Sequence, residues 1–300
     1  MDTTSSLTRR EHAQFKANIL AEALPWMTTW AGRTVVLKIG GNAIADANSQ
    51  VAINMAEDVA MLHTLGIRLV VVHGGGPQIS ALADQFNYKP QFADGMRVTD
   101  DEMMTIVQTA MCGQVNPMIV RLVADRGVRA VGLAGTDANC LTAHPRPGFG
   151  RAGDITAVDP TVITTLLDAN IVPVIAPISR GDDGGLVNVN ADAAAGAIAA
   201  AIRADKVIVL TNIEGLYTDF GTPKASLVNT ISTSELHTLI QSGTVEQGMI
   251  PKLNALHDAV VAGVPQGHML DGQESHAVLL EIFTDDGIGT MVLPDDASKE

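Results

Sequence analysis

The eight residues 34–41, T-V-V-L-K-I-G-G, constrain the fold of this chain more than any other stretch. Apolar residues on both sides of Lys38 predict a strand buried on both faces, and the two glycines would end it in a tight turn. Such a turn brings bare backbone N–H groups beside one ammonium group, an arrangement that binds phosphate. A buried strand with a snorkelling lysine and an ordinary turn would give the same residues. Motifs elsewhere in the chain are needed to choose between this alternative and a phosphate site.

The same alternation of a continuous apolar stretch and a helical pattern recurs along the chain. It indicates an α/β fold with a mainly parallel sheet covered on both faces, in which ligands bind beyond the carboxyl ends of the strands. Further strands are predicted at Arg68–His73, Ala130–Ala134, 171–177, Lys206–Thr211 and Gly267–Asp271, and helices at 51–65, 191–203 and 250–262, with Gly66 ending the first of these helices.

A helical pattern over residues 11–24 precedes the first predicted strand, and Pro25 is expected to stop or kink that helix. The helix either folds back on its own domain or packs on another subunit, since nothing earlier in the chain needs it. We predict an N-terminal oligomerisation helix at 1–30, an N-terminal lobe at 31–205 and a C-terminal lobe at 206–300.

Composition excludes several classes of protein. Nineteen basic against 33 acidic residues give a formal net charge of −14, which argues against nucleic acid or an anionic membrane as the main partner. Cys112 and Cys140 are the only cysteines and form no C-x-x-C, so neither a disulfide framework nor a cysteine zinc site is supported. No apolar run approaches the ~18 to 20 residues that span a bilayer, and we expect a cytoplasmic protein.

Two motifs are suited to holding an anion. In H-G-G-G-P, residues 73–77, a strand runs into glycines and then a helix, so the exposed N–H groups could bind a carboxylate or phosphate; a close strand-to-helix turn is the alternative. In D-G-M-R-V-T, residues 94–99, Arg97 lies in a glycine-containing loop before a helix. Arginine grips carboxylates bidentately, although a surface ion pair would also explain it.

Two further motifs place polar groups at helix starts. In L-V-N-V-N-A-D, residues 186–192, Asn188 and Asn190 would share a strand face, with Asp192 entering an alanine-rich helix as a ligand-site residue or as its cap. In G-M-I-P-K, residues 248–252, a proline in the first turn leaves Lys252 near the positive end of the helix dipole. Because a lysine there is mildly unfavourable, it indicates an anionic ligand, unless the helix simply tolerates it.

Other nucleotide-binding signatures are missing or lack their context. The chain has no G-x-x-x-x-G-K-[ST], which excludes a P-loop NTPase. A G-x-G-x-x-G does occur at residues 148–153, but it follows H-P-R-P instead of a strand, so we regard it as a chance match within a loop or short hairpin.

Taken with T-N-I-E-G-L-Y at residues 211–217, these motifs resemble the amino acid kinase family, in order and over nearly the whole chain. Within that family they are similar to the branch that phosphorylates N-acetyl-L-glutamate in arginine biosynthesis. The resemblance implies an αβα sandwich, the amino acid kinase fold. It also implies an N-terminal lobe that holds N-acetyl-L-glutamate and a C-terminal lobe that holds ATP, with Mg²⁺ carried by the nucleotide.

The resemblance also implies roles for individual residues. Lys38 and Lys252 would stabilise the transferring γ-phosphoryl group, and Asp192 would orient both lysines. The nucleophile is a carboxylate already ionised near pH 7, so catalysis reduces to positioning and charge stabilisation. The remaining site residues would be Gly40 and Gly41 on the phosphates, Asn212 and Gly215 at the nucleotide, and Gly75, Gly76, Arg97 and Asn188 at the amino-acid substrate.

Two features are similar to the arginine-inhibited branch of the family, namely the extra N-terminal helix and the C-terminal motifs H-M-L-D-G and E-I-F-T-D-D-G-I-G-T. They imply feedback inhibition by L-arginine at a site with His268, Glu281 and Gly287. They also imply a homo-oligomer with a dimer core, assembled as a hexamer through the N-terminal helices. A PII-type signal protein is a candidate partner that the sequence leaves undecided.

The chain departs from the family pattern at Thr136, where many relatives carry a lysine, and at Asp94, where glycine or asparagine is commoner. Aspartokinase, glutamate 5-kinase, carbamate kinase and uridylate kinase share the lysine and glycine devices. The loop around Arg97 and the N-V-N-A-D segment favour acetylglutamate. A catalytically silent arginine sensor is the rival from another class, and retention of Lys38, Asp192 and Lys252 together argues against it.

Overall fold

The computed structural model describes residues 8–93, 96–218, 225–284 and 287–297. The helices in these ranges are α1 Arg9–Trp30, α2 Gln50–Thr64, α3 Gly76–Gln85, α4 Asp101–Ala110, α5 Asn116–Ala124, α6 Thr161–Asp168, α7 Ala191–Ala201, α8 Thr233–Gln241, α9 Ile250–Val261 and α10 Ala277–Phe283. The strands are β1 Thr34–Ile39, β2 Arg68–His73, β3 Gln91–Ala93, β4 Met96–Val98, β5 Ala130–Ala134, β6 Leu141–Pro145, β7 Ala152–Val158, β8 Val172–Ala176, β9 Ile178–Gly181, β10 Leu186–Val189, β11 Lys206–Thr211, β12 Tyr217–Thr218, β13 Ser226–Leu227, β14 Thr230–Ser232, β15 Gly267–Asp271 and β16 Thr290–Leu293.

An eight-stranded sheet in the order β14-β16-β15-β11-β1-β2-β8-β5 forms the centre of the molecule. Its neighbouring strands are parallel except for the antiparallel pair β15 and β16, which confirms the predicted mainly parallel sheet. Strand β11 pairs with β1, so one sheet runs through both predicted lobes. The lobe boundary near residue 205 stays a prediction.

Side chains of β1 alternate between two cores. Val35, Leu37 and Ile39 pack with residues of α2, α5 and α10 on one face, and Val36 packs with residues of α7 and α9 on the other. Helices therefore cover both faces, which confirms the αβα sandwich. Because successive strand residues point to opposite faces, Lys38 lies on the same side as Val36, toward α7 and α9.

Helix α1 continues through Pro25 to Trp30, so the prediction that Pro25 stops the helix is wrong. A proline costs an internal helix roughly 3 kcal/mol, since it removes a hydrogen bond and crowds the preceding turn. Burial offsets that cost, because Trp26, Met27 and Trp30 pack against the core that contains α2 and α10. Nearer its N-terminus the helix is exposed.

The segment predicted as a loop or short hairpin around residues 144–153 is the β6–β7 hairpin of a closed four-stranded sheet, β10-β7-β6-β9. Two of the three glycines of G-x-G-x-x-G, Gly150 and Gly153, serve packing here. Gly150 has φ +64°, and a Cβ on it would strike the carbonyl of Thr99. This contact holds the hairpin against the segment that follows β4. In the described ranges, no helix is long and apolar enough to cross a bilayer.

Candidate active site

Two lysines from opposite ends of the chain meet at one carboxylate. Lys38 Nζ lies 2.7 Å from Asp192 Oδ1, and Lys252 Nζ lies 3.1 Å from Asp192 Oδ2. The side chains of Lys38 and Asp192 are 6% and 5% exposed, and that of Lys252 is 23% exposed. Strand β1 supplies the first lysine near its carboxyl end, while the first turns of α7 and α9 supply the other two groups.

Asp192 is available to both lysines because a different residue caps its helix. The Asn190 side chain accepts hydrogen bonds from the N–H groups of Asp192 at 2.7 Å and Ala193 at 3.3 Å. The alternative that Asp192 serves as the cap is therefore wrong. Asn190 performs that task, which leaves both oxygens of Asp192 for the ammonium groups.

A close helix crossing keeps Lys252 in reach of Asp192. Gly196 lies one turn along α7 from Asp192, and a Cβ built on it would lie 2.7 Å from the carbonyl oxygen of Ala255 in α9. Helices α7 and α9 therefore approach backbone to backbone at this point. A side chain at position 196 would separate them.

The cluster carries one more positive than negative charge. Burial alone would raise the pKa of Asp192, but the charges and hydrogen bonds of Lys38 and Lys252 outweigh it and lower that pKa, so the carboxylate is ionised. Burial lowers the pKa of Lys38, opposed by its ion pair with Asp192. Two ammonium groups share one carboxylate, which leaves a surplus suited to an anion.

Two glycine turns face each other beside the lysine pair. A Cβ on Gly41 would lie 2.9 Å from Pro77, 3.0 Å from the Gly76 nitrogen and 3.1 Å from Gly75. The Gln78 side-chain amide donates to the Gly41 carbonyl at 3.2 Å, which ties the turns together. In the described part of the chain, the hydrogen bonds leave the N–H groups of Gly75 and Gly76 unused.

The nucleotide-site candidates lie around the end of β11. A Cβ on Gly40 would lie 3.6 Å from the Leu210 carbonyl and 3.9 Å from Lys38 Nζ, so the glycine turn borders both β11 and the lysine. Asn212 follows β11 and is exposed. Gly215 is buried, and a Cβ there would lie 2.6 Å from Thr290 Oγ1, so its small size has a packing reason.

Arg97 lies half-buried in β4 against the second glycine turn. Its Nη2 donates to Ser80 Oγ at 3.0 Å and to the Gly76 carbonyl at 3.4 Å, and its guanidinium lies 4.7 Å from the centre of the Phe92 ring. Burial lowers its pKa. Its Nη1 is buried with no hydrogen-bond partner among the described residues. The family departure at Asp94 lies outside the described residues.

Asn188 connects the arginine segment to the barrel-like sheet. Its side-chain amide donates to Thr99 Oγ1 at 3.2 Å, and its backbone N–H donates to the Arg151 carbonyl at 2.7 Å. Strand β10 thus holds the chain just after Arg97, and leads through Asn190 directly into Asp192. The substrate candidates and the lysine pair are connected through one short segment.

A second buried ionic cluster lies on the other face of the sheet. His268 Nδ1 lies 2.5 Å from Glu281 Oε1, and Glu281 Oε2 accepts the Ile288 N–H at 2.9 Å. Gly287, with φ +59°, borders this carboxylate, since a Cβ on it would lie 3.1 Å from Glu281 Oε2. The structure thus brings together the three predicted effector residues His268, Glu281 and Gly287.

The sequence reasoning missed Lys206 as a member of this second cluster. Its Nζ lies 4.6 Å from the centre of the Trp30 ring, and burial lowers its pKa to about 8 against the attraction of Glu281. The signal was present, because Lys206 begins an otherwise apolar strand, as Lys38 interrupts one. Its partners could not be known before the sheet order placed β11 beside β15.

Protonation of the second cluster differs from that of the first. Burial, together with Lys206, lowers the pKa of His268 despite its hydrogen bond to Glu281, which favours a neutral ring. Burial alone would raise the pKa of Glu281, but His268, the Ile288 N–H and Lys206 together lower it. His268 Nε2 is buried and has no hydrogen-bond partner in the described ranges.

Known proteins resemble the chain over almost its full length. A protein from Frankia alni named acetylglutamate kinase is 47% identical over 297 residues, which cover 96% of this chain and 85% of that protein. One of the same name from Corynebacterium glutamicum is 44% identical over 296 residues, covering 96% and 92%.

Solved structures share the fold. N-acetylglutamate synthase from Neisseria gonorrhoeae complexed with coenzyme A and N-acetyl-glutamate has a TM-score of 0.81 at 26% identity, covering 93% of this chain. The chain spans 63% of that synthase. The same synthase complexed with coenzyme A and L-arginine has a TM-score of 0.76 at 25% identity, covering 93% and 65%.

The pattern of the amino acid kinase family matches residues 33–271, from the residue before β1 to the end of β15. That range contains the lysine pair, its carboxylate and both glycine turns. The chain belongs to the amino acid kinase family.

Proposed function

We propose that this chain transfers the γ-phosphoryl group of ATP to the side-chain carboxylate of N-acetyl-L-glutamate, giving N-acetyl-L-glutamyl 5-phosphate for arginine biosynthesis. One observation carries the proposal: Lys38 and Lys252, within 2.7 and 3.1 Å of the same buried Asp192, stand beside two facing glycine turns. The names of the relatives at 42 to 47% identity support acetylglutamate as the acceptor.

The chemistry fits the charges available. The acceptor carboxylate is ionised at neutral pH and attacks phosphorus without losing a proton, so no general base is needed. Negative charge on the transferring phosphoryl oxygens is met by the two ammonium groups, which Asp192 holds in place before reaction. Preorganised charges of this kind supply the largest part of catalysis in phosphoryl transfer.

Arg97 and the second glycine turn would hold the acetylglutamate. The unpartnered Nη1 of Arg97 can take one oxygen of the α-carboxylate. The unused N–H groups of Gly75 and Gly76 lie next to that guanidinium, since Arg97 already contacts the Gly76 carbonyl. Asn188 holds the segment after Arg97 through Thr99, and we propose that its amide also contacts the bound acetylglutamate.

As a kinase, the chain uses ATP with a divalent metal. Gly40 and Gly41 fit the phosphates, because the cradle at Gly41 has no room for a Cβ, while Asn212 and Gly215 border the proposed nucleotide site. Bound Mg²⁺ would screen the phosphate charge and polarise the transferring group. We propose that it arrives with the nucleotide, since both oxygens of Asp192 are engaged by lysines.

The test is a coupled ADP-release assay that offers N-acetylglutamate, glutamate, aspartate, carbamate and UMP in parallel, with and without arginine. We expect turnover with N-acetylglutamate at least about tenfold above each alternative. Preference for glutamate would instead indicate a glutamate 5-kinase, and preference for aspartate an aspartokinase. No turnover with any acceptor, with arginine still bound, would favour a silent sensor.

We assign arginine binding to the second cluster. Lys206 can hold the arginine carboxylate, Glu281 can hold its amino or guanidinium group, and the free Nε2 of His268 offers one more hydrogen bond. The N-acetylglutamate synthase of similar fold has been solved with L-arginine. Feedback inhibition would then act from the opposite face of the sheet.

We further propose a homo-oligomer with a dimer core, extended to a hexamer through α1. Only the end of this helix packs on its own domain, whereas Phe15, Ile19, Leu20 and Leu24 are 56%, 47%, 63% and 60% exposed. Four exposed large apolar side chains on one helix are typical of an interface between subunits. Light scattering of the full chain measures the assembly, and a monomer would contradict it.

A further inference from the structure

His73 is a buried titratable residue for which the proposed phosphoryl transfer has so far no use. It ends β2, immediately before the glycines of the second turn, and it is 0% exposed. Its Nδ1 lies 3.0 Å from the Gly74 carbonyl oxygen, and its Nε2 lies 3.1 Å from Asn116 Nδ2. Burial lowers its pKa to about 4, so the ring is neutral at physiological pH.

Asn116 fixes which ring nitrogen carries the proton. Its amide nitrogen lies 2.8 Å from the Val174 carbonyl oxygen. Rotating the amide by half a turn would bring two acceptors together there, so the nitrogen must face Val174. The second amide hydrogen then donates to His73 Nε2, and the neutral ring carries its own hydrogen on Nδ1 and donates it to Gly74.

The surrounding helix is shaped to deliver this amide. Asn116 begins α5 directly after a π-helical turn, Met111–Val115, that interrupts the α4–α5 helix. Turns of this kind re-aim side chains and are frequent at functional sites. Gly132 in β5 makes room for the amide, because a Cβ there would collide with Asn116 Oδ1. Met111 and Val115 pack against Gly75 itself.

The hydrogen bond to Gly74 has a consequence for the next amide. In a trans peptide the carbonyl and the following N–H point in opposite directions. When the Gly74 carbonyl is held toward the buried ring, the Gly75 N–H must point away from it. That N–H has no acceptor among the described hydrogen bonds.

We propose that His73 and Asn116 are positioning residues, which hold the Gly74–Gly75 peptide so that the Gly75 N–H faces the bound acceptor and the transferring phosphoryl group. This inference rests on the proposed function and deepens it. The two residues touch neither substrate. They act by orienting a backbone donor that glycine alone would leave free to rotate.

The first experiment is independent of activity. We would record NMR spectra of the full chain labelled with ¹⁵N-histidine and assign His73 by the signal lost in His73→Asn. The expected spectrum is a neutral ring protonated at Nδ1 throughout pH 5.5 to 8.5. A ring protonated at Nε2, or one that titrates within this range, would overturn the proposal.

The second experiment compares two substitutions of one residue. The side-chain amide of His73→Asn can occupy the place of Nδ1 and still donate to Gly74, whereas His73→Leu keeps bulk without a donor. We expect His73→Leu to lower kcat/KM for N-acetylglutamate by roughly 10- to 100-fold, as a misplaced catalytic donor does, with the KM for ATP within about twofold. His73→Asn should stay within about fivefold of wild type.

If His73→Leu does not fold, Asn116→Ala takes its place. It keeps the ring but removes tautomer control, so we expect mixed Nδ1 and Nε2 protonation and a fall in kcat/KM of about fivefold. Equal loss in His73→Asn and His73→Leu, a parallel rise in the KM for ATP, or unchanged kinetics in Asn116→Ala would each overturn the proposal. Failure of wild type to phosphorylate N-acetylglutamate would instead contradict the proposed function, while the tautomer still decides the role of His73.

Discussion

The two buried ionic clusters occupy opposite faces of one sheet and differ in their charge balance. Lys38 and Lys252 share one ionised carboxylate, so the first cluster has a positive surplus. Among the described residues of the second cluster, Lys206 faces Glu281 beside a neutral His268, so its charges balance. A surplus favours a net anion such as a phosphoryl group, whereas separated opposite charges suit a zwitterion such as an amino acid.

The clusters are close along the backbone although they face away from each other. Val209 of β11 pairs with Lys38 of β1, and Lys206 lies three residues earlier on the same strand. Ile208 pairs with His268 of β15. A shift of β11 caused by a ligand at one face would therefore reach the other through a single strand.

The largest effect is expected from Lys38→Met. Removing one of two preorganised charges should lower kcat by ~10² to 10³. The exposed Lys89→Met is the matched control and should leave kcat within about twofold. Steady-state ADP release measures kcat for both variants. A kcat for Lys38→Met within a factor of a few of wild type would contradict the claim that the positive surplus of the first cluster drives catalysis.

Asp192→Asn tests whether the surplus depends on the shared carboxylate. Two ammonium groups would lose their counter-charge, so we expect kcat to fall by about 10² and the free energy of unfolding by about 3 kcal/mol. The folded pKa of Asp192 is lowered, so its stabilisation is complete above the unfolded pKa near 3.9 and lost as pH falls through the folded value. Urea unfolding at pH 7 and below pH 3.9 measures this. The free energy of unfolding should fall less between the two pH values in the variant than in wild type.

Glu281→Gln unbalances the second cluster without touching the first. Arginine should then inhibit at least about tenfold more weakly, as expected for a lost charge-assisted hydrogen bond, while kcat stays within about twofold. Glu274→Gln, at an exposed position, is the control. Unchanged inhibition by arginine, measured in the same assay, would take Glu281 out of the effector site.

The pH dependence of arginine binding should follow Lys206. Its pKa is about 8 in the free protein, and a bound carboxylate would raise it, so affinity is highest below pH 8 and weakens above it by at most about tenfold per pH unit. Calorimetry between pH 7 and 8.5 measures this. Lys206→Arg keeps its charge over this range and should flatten the profile; a flat profile in wild type would exclude Lys206 as the carboxylate partner.

The smallest effect on catalysis is expected from changes in α1. If the proposed hexamer forms through α1, Phe15→Ser together with Leu20→Ser should reduce it to the proposed dimer core while kcat stays within about twofold. Gln14→Ser is the control on the same helix. Trp26 and Trp30 must be kept, because they pack on the core near Lys206. An unchanged mass in light scattering would contradict the role of α1.

Much of the sheet and of the lysine site was predictable because glycine and proline mark where strands end and helices begin. Apolar runs that end in glycine located the sheet, and Gly40, Gly75 and Pro251 marked the ends of elements where Lys38 and Lys252 meet. The sequence could not show that Asn190 rather than Asp192 caps α7, since asparagine and aspartate are equally good caps and stand only two residues apart here. Pro25 does not stop α1, because tertiary packing of two tryptophans outweighs its local effect.

Other contacts were unpredictable because they depend on tertiary neighbours. Lys206 and His268 meet only through the order of β11 and β15, which no local pattern specifies. His73 and Asn116 meet through a π-helical turn, and a single extra residue in a helix leaves no clear periodic signal. The closed sheet of β6, β7, β9 and β10 joins short strands whose pairing is set by distant contacts.

Because Gly196 has no side chain, the backbones of α7 and α9 touch, and this contact sets the distance between Lys252 and Asp192. A methyl group at that crossing would work as a wedge, tilting α9 and withdrawing Lys252 from Asp192 although no reacting atom is altered. In directed evolution for other acceptors, substitutions at position 196 should therefore abolish activity, although this residue contacts no substrate.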